Sequence, residues 1–242
     1  MPKLEAYQKQ GPYSYALGVF PSLNLLHSRP ETVTRLLLHP DGTRNEGIEK
    51  LRQQCAQLGI REEIAERILK REAKKDNCYA ALVFDKYEAV LSPEKPHVVL
   101  CQISDGGNLG TALRACLGFG FCDVAIIRPA VDMFDPRVIR ASMGAFFQMN
   151  VNTFETFDDW RNTYPHHALY PFMLDGALTL SNAVKDCGDL FALVFGNEQT
   201  GLPKSFAQLG TPVFIPQSKQ IDSLNLAMAV SIGTYAFSQR NI

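Results

Sequence analysis

The hydrophobic positions of this 242-residue chain fall into two regimes. Before residue 92 they recur at helical or strand-like spacing among many charges. Residues 18–28 read as a helix and TRLLLH (34–39) as a strand. GIEKLRQQCAQLG (47–59) reads as an amphipathic helix closed by Gly59, with Ile48, Leu51, Cys55 and Leu58 on one face. A further helix is expected over 62–75, ahead of the strand YAALVF (79–84). After residue 96 the strands become continuous apolar runs, VVLCQI, DVAIIR, ALYPFML, LFALVFG and TPVFIP, separated by helical segments. Runs without a polar face belong to strands buried on both sides, which predicts a mostly parallel sheet in a doubly wound α/β domain. The last element, SLNLAMAVSIGTYAFSQ (223–239), is apolar on more than one face and suits either a core or a second subunit. The proline-punctuated SPEKPHVV (92–99) sets the division into domains 1–92 and 93–242.

Composition narrows the class. Hydrophobic residues at 46% and charged residues at 20% are ordinary for a globular protein. No run reaches the roughly 18 apolar residues of a membrane span, and MPKLEAYQKQGPYSY lacks an apolar export core, so a cytoplasmic location is expected. Six cysteines without a CxxC pair and five scattered histidines argue against a metal site. Cys101, Cys116 and Cys122 sit in apolar runs and read as reduced core residues. The net charge is −1, with +2 over residues 1–92 and −3 over 93–242, so nothing global marks a nucleic-acid partner.

Chemistry concentrates at three strand ends, where ligands bind in open parallel sheets. SDGGNLG (104–110) leads into a helix carrying Arg114, with Gly110 and Gly118 four residues to either side. FGNEQTGLP (195–203) places Glu198 between glycines, and IPQSKQIDSLN (215–225) leads into the last helix. Ser223 could be that helix's N-cap, with Asn225 inside the first turn, where an amide has little structural purpose unless it points into a site. A dinucleotide-binding loop is the alternative for the first turn. GGNLG does not fit G-x-G-x-x-G, but Arg128 at the next strand end could meet a 2′-phosphate, which leaves an NADP-linked reductase as a rival.

NLGTALRA (108–115), LVFGNEQTGL (193–202) and FIPQ (214–217) with DSLNLAMAVSIGTYAF (222–237) resemble, in order and spacing, the three motifs of the SpoU/TrmH-type RNA ribose methyltransferases of the SPOUT superfamily. The resemblance covers residues 96–242. Residues 13–91 resemble the α/β RNA substrate-binding domain that often precedes it, akin to ribosomal-protein RNA-binding modules. The resemblance implies a trefoil-knotted C-terminal domain, a homodimer formed through it, and methyl transfer from S-adenosylmethionine to a ribose 2′-hydroxyl of tRNA or rRNA. Carried over by motif, Arg114, Asn108, Glu198, Ser223 and Asn225 form the catalytic set. Phe195, Gly196, Ile215, Gln217 and Leu224 hold the cofactor. Arg29, Arg35, Lys74 and Lys75 are candidate RNA contacts. Gln199 and Gln217 depart from the family's usual glycine and methionine, and Asn77-Cys78-Tyr79 replaces a histidine-glutamine-glycine signature. A relative that binds RNA but has lost catalysis is the other alternative.

Overall fold

A computed structural model describes residues 4–74 and 78–241, so Lys75 and Asn77 lie outside the described residues. From the N-terminus the elements run β1 (Tyr13–Leu17), α1 (Val19–Ser28), β2 (Val33–Leu38), α2 (Glu46–Gln57), β3 (Arg61–Ile64), α3 (Glu66–Ala73) and β4 (Ala80–Asp85). There follow β5 (His97–Cys101), α4 (Gly106–Gly118), β6 (Asp123–Ile127), α5 (Pro136–Ala141), β7 (Asn150–Phe154), α6 (Phe157–Thr163) and β8 (Ala168–Pro171). The chain ends with β9 (Leu178–Thr179), α7 (Leu180–Lys185), β10 (Phe191–Phe195), β11 (Val213–Phe214) and α8 (Leu226–Ser238).

These elements form two compact units, one of residues 1–88 with 132–148, the other of 89–131 with 149–242. The segment Asp132–Gln148, well beyond residue 92, thus packs in the first unit. Phe84 of β4 meets the Phe147 ring edge-on at 5.2 Å and lies against Phe134. Lys86 pairs with Asp132 at 3.1 Å, and Arg140 donates to the Ala73 carbonyl at 2.9 Å. The first unit's sheet has the order β1-β4-β2-β3, with β1 and β2 antiparallel to β4 and β3 parallel to β2.

The helix expected over 62–75 forms as α3, but only over Glu66–Ala73. Residues 61–64 form the edge strand β3, where β2 supplies backbone partners and Arg52 takes Glu62 in two hydrogen bonds of 2.9 Å, so pairing overrides local helix preference. On α2, Ile48, Leu51 and Cys55 are buried as expected, but Leu58 at the C-cap is 52% exposed.

In the second unit all five strands of the main sheet run parallel in the order β7-β6-β5-β10-β8. Every residue of β5, β6 and β10 is buried, which is why those runs lack a polar face. Each fully buried large aliphatic side chain contributes roughly 1.5–3 kcal/mol. TPVFIP is not a strand of this sheet. Its two-residue β11 pairs with β9 in a separate small sheet, bounded by prolines that have no N–H for a ladder.

At the start of β5 lies a buried aromatic group. His97 Nε2 bonds the Ser92 carbonyl at 2.8 Å, and Trp160 Nε1 donates to His97 Nδ1 at 3.3 Å. An indole N–H only donates, so His97 Nδ1 must carry a lone pair and the ring is neutral. His167 stacks at 4.1 Å with its Nε2 on the Lys95 carbonyl, and Tyr164 closes the group edge-on at 4.7 Å. Burial pushes His97 down to about 4, helped by His167 and opposed by the Ser92 carbonyl and Asp123. His167 is lowered too, first by burial, then by Arg161. A histidine lowered on folding is neutral in the native state, so the unfolded chain binds more protons between the two pKa values. Stability should therefore fall as pH drops from about 6.5 towards about 4. Melting temperature across that range should show it, and His97→Gln, which keeps a donor and an acceptor without titrating, should flatten the slope.

Candidate functional site

The order of the second unit's sheet reverses beside β5. The chain runs outward through β6 and β7, then returns to place β10 and β8 on β5's other side. The carboxyl ends of the adjacent β5 and β10 therefore flank a switch point, the usual crevice for a ligand. Two of the three sequence-marked turns leave from those ends.

Glu198, three residues beyond β10, joins them. Its Oε2 accepts from the Ser104 amide at 3.3 Å and the Ser104 hydroxyl at 3.2 Å. Its Oε1 accepts from the Asp105 amide at 3.2 Å and from Asn108 Nδ2 at 3.3 Å. Burial works to raise this carboxyl, but amides of Glu198, Ser104 and Asp105 and the Asn108 side chain outweigh it and hold the pKa below the ordinary value.

The third turn joins through Asn108, whose Oδ1 accepts from Asn225 Nδ2 at 2.9 Å. Asn225 is the N-cap of α8: its Oδ1 accepts from the Ala227 amide at 2.9 Å and the Met228 amide at 3.4 Å. This corrects the placement of Ser223 as cap and Asn225 inside the helix, since α8 begins at Leu226. The Asn225 amide thus has two faces, one capping and one reaching the site.

The β10 loop folds tightly on itself. Asn197 Oδ1 accepts from the Gln199 amide at 2.9 Å, and Gly201, at φ +65°, returns its N–H to the Asn197 carbonyl at 2.9 Å. A Cβ on Gly196 would lie 2.2 Å from the Gly201 carbonyl carbon, so only glycine fits there.

Beside this loop opens a cavity of about 690 Å³, within the roughly 300–1,000 Å³ typical of small-molecule sites. Phe195, Gly196, Ile215, Gln217 and Leu224 all line it, as do Glu198 and Ser223. Asn108 and Asn225 stand behind Glu198 in the hydrogen-bond chain. Sequence reasoning missed the cavity's other wall, Phe172 to Asp175 after β8, because its apolar residues read as strand.

Arg114 is not on the wall. It lies on the exposed face of α4 with Thr111 and Gly118 and makes no hydrogen bond or ion pair among the described residues. Gly110 is buried, so the expected glycine floor is open only at Gly118, where an added Cβ would meet nothing within 4 Å.

Other candidates are placed as follows. Arg128 pairs through one guanidinium nitrogen with the exposed Glu155, and GGNLG lies within α4 rather than in a loop. Burial pushes the Cys101 thiol up to about 12 and raises Cys116, so neither offers a thiolate. Arg29 stacks over Tyr87 at 4.8 Å, and Arg35, 12% exposed, pairs with Glu63. Lys74 faces solvent. Among the described residues no helix is long and apolar enough to cross a membrane, and no cluster of three potential metal ligands occurs.

Residues 95–235, more than half of the chain, match the model of the SpoU rRNA methylase family. The chain belongs to that family. A ribosomal RNA small subunit methyltransferase G of Syntrophobacter fumaroxidans is 30% identical over 146 residues, 58% of this chain and 27% of that protein. An uncharacterised tRNA/rRNA methyltransferase of Synechocystis is 28% identical, over 66% of this chain and 59% of its own length. The SpoU-family chain therefore spans less than two thirds of these relatives' lengths. The crystal structure of an AdoMet-bound rRNA methyltransferase from Sinorhizobium meliloti superposes with a TM-score of 0.79 at 21% identity, covering 96% of this chain and 88% of that one. The SpoU methyltransferase AviRb from Streptomyces viridochromogenes gives 0.81 at 18% identity, covering 95% and 90%. The fold is thus the α/β fold of the SPOUT methyltransferases, a class that carries the trefoil knot, with a separate N-terminal α/β sheet.

Glu198→Ala should release the Ser104 and Asp105 amides to water and leave the part-buried Asn108 amide without this acceptor, costing about 0.5–1.5 kcal/mol, read as a lower denaturant midpoint. Glu198→Gln should cost less, because its amide keeps one acceptor oxygen. Since the folded carboxyl is held low, its contribution is complete above the ordinary carboxyl range and disappears as acid protonates it.

Proposed function

We propose that this SpoU-family protein transfers a methyl group from S-adenosylmethionine to a ribose 2′-hydroxyl of RNA, in rRNA or tRNA. The observation that carries the reading is one carboxylate, Glu198, joining the N-terminal turn of α4 and, through Asn108, the cap of α8 beside a cavity of cofactor size. The names of the curated relatives and the AdoMet-bound fold neighbour support the same chemistry.

The residues present fit this cofactor. Phe172, Leu202, Ile215 and Leu224 give apolar walls for an adenine, and the side-chain-free Gly196 leaves backbone exposed to it. Asp175 adds a carboxylate that forms no hydrogen bond or ion pair among the described residues, suited to a cationic ligand. Bound there, S-adenosylmethionine supplies a methyl group on a positively charged sulfur. Phe195, Gly196, Ile215, Gln217 and Leu224 would hold it.

The chain's own task is to orient the ribose and accommodate charge on its oxygen. Asn108 and Asn225, locked to Glu198 and to the α8 cap, are preorganised polar groups for the ribose, with Ser223 at the cavity's edge. The Arg114 guanidinium stays protonated, so it is assigned no proton transfer. It pairs with a substrate phosphate and stabilises the developing alkoxide, while the proton leaves to phosphate or water. Its exposed position without an internal partner suits a group that waits for RNA. The intact Glu198–Asn108–Asn225 chain supports an active enzyme over a lapsed relative.

Arg114→Ala should fold, bind S-adenosylmethionine and lose methyl transfer to RNA by about 10²–10³-fold. Near-normal turnover in the purified variant would remove Arg114 from the mechanism.

We also propose a homodimer through the second unit. Met228 and Tyr235 of α8 are 56% and 52% exposed, and with the half-buried Ile232 they form an apolar stripe at helical spacing. Tyr235 packs on Phe119 at 5.5 Å, which extends the patch to the end of α4. Met228→Glu with Tyr235→Glu should convert a sedimenting dimer to monomer with little loss of helicity by circular dichroism.

A further inference from the structure

Gly233 stands inside α8, buried and far from either end of the helix. A glycine there weakens a helix relative to alanine, because it has more backbone freedom to lose and no side chain to pack. The helix sets this residue against two aromatic rings. A Cβ added at Gly233 would lie 2.8 Å from Phe172 Cζ, 3.0 Å from Phe172 Cε1 and 3.0 Å from Phe195 Cζ. Carbon atoms in contact rest at about 3.5–4.0 Å, so a single methyl group would overlap the rings by roughly 0.5–1 Å.

The surroundings decide what would give way. Phe172 follows β8 by one residue, Phe195 ends the adjacent β10, and their rings stack at 4.2 Å. The Phe172 backbone is fixed: its N–H donates to the Val194 carbonyl at 2.8 Å, and the next amide, Met173, donates to the Val213 carbonyl at 2.9 Å. Phe195 is 2% exposed and pairs with Leu100 of β5. The helix is fastened on its other sides. Its Asn225 cap reaches Asn108 at 2.9 Å, and Phe237 sits between Tyr170 and Phe191, with ring centroids at 5.1 and 5.2 Å. The Phe172 ring alone has room, since it is half-buried and borders the cavity of about 690 Å³. Gly233 itself does not line that cavity, although Leu226 and Ala229 of the same helix do.

We infer that Gly233 is a positioning residue for the cofactor, acting through Phe172. By carrying no side chain it seats the Phe172 ring back against α8, and it thereby sets the width of the cavity and the place of one apolar wall. The inference rests on the S-adenosylmethionine reading and adds to it a residue that touches no ligand. The wall faces the adenosine part of the cofactor, which S-adenosylmethionine shares with its demethylated product, S-adenosylhomocysteine. A displaced ring should therefore weaken both ligands alike, whereas a change in charge would separate them by the positive sulfur.

The test is the affinity of the full chain for each of these two ligands by calorimetry, with the melting temperature beside it. The variants are Gly233→Ala, Phe172→Leu and the two together, because leucine lacks the outer ring atoms that the added methyl would meet. Gly233→Ala should bind both ligands about tenfold more weakly, as overpacking moves the wall inward. Phe172→Leu alone should weaken both about threefold through lost apolar contact. Adding Gly233→Ala to Phe172→Leu should change neither affinity by more than about twofold, the mark of coupling through the ring. Folded Gly233→Ala with unchanged affinities and only a shifted melting temperature overturns the inference and leaves the glycine a packing residue. An equal loss with and without Phe172→Leu also overturns it, since the effect then bypasses the ring. Unchanged binding by Phe172→Leu takes the ring off the ligand and overturns it even where Gly233→Ala does not fold. A wild-type chain that binds neither ligand overturns the S-adenosylmethionine reading and this inference together, whereas the other outcomes strike the inference alone.

Discussion

The second unit's site depends on one half-buried carboxylate with more donors than it could gather by chance. Glu198 takes backbone N–H groups from the turn after β5, the Ser104 hydroxyl and the Asn108 amide, and Asn108 passes the connection to the cap of α8. Three segments far apart in sequence are thereby fixed to one another at the point where strand order reverses. The charge is held where it is by donors that outweigh the desolvation it suffers. Without it, the Ser104 and Asp105 amides ahead of α4 would lose the acceptor that ties them to the β10 loop.

The same geometry explains why the polar side chains divide into two kinds. Asn108, Asn225 and Glu198 bond to one another and have little freedom, so their orientation is set before any ligand arrives. Arg114 makes no hydrogen bond or ion pair among the described residues and lies in solvent. The proposed reaction uses the first kind for placement and the second for charge that only the substrate neutralises.

Much of this was legible in the sequence because parallel strands buried on both faces leave unbroken apolar runs, and their ends carry the unusual turns. All five residues assigned to the cofactor do line one cavity. What the sequence hid follows from physical causes. The strand β7 is half polar because it lies at a sheet edge, and β3 reads as helix because its acids find cations only in the folded state. The double use of Asn225 was invisible because a cap is defined by where the helix starts, and Leu226 rather than Leu224 starts it. Arg114 was assigned a glycine-lined groove from spacing alone, whereas the helix buries Gly110 and turns the arginine outward.

The segment Asp132–Gln148 has a consequence for how the chain matures. It completes the first unit with Phe134, Phe146 and Phe147, yet it follows β5, α4 and β6 in sequence. A ribosome must therefore deliver two strands and a helix of the second unit before the aromatic cluster around Phe84 can close. The nascent N-terminal unit waits without the Phe134 and Phe147 rings that pack on Phe84, and a chain cut after Glu88 would lack both.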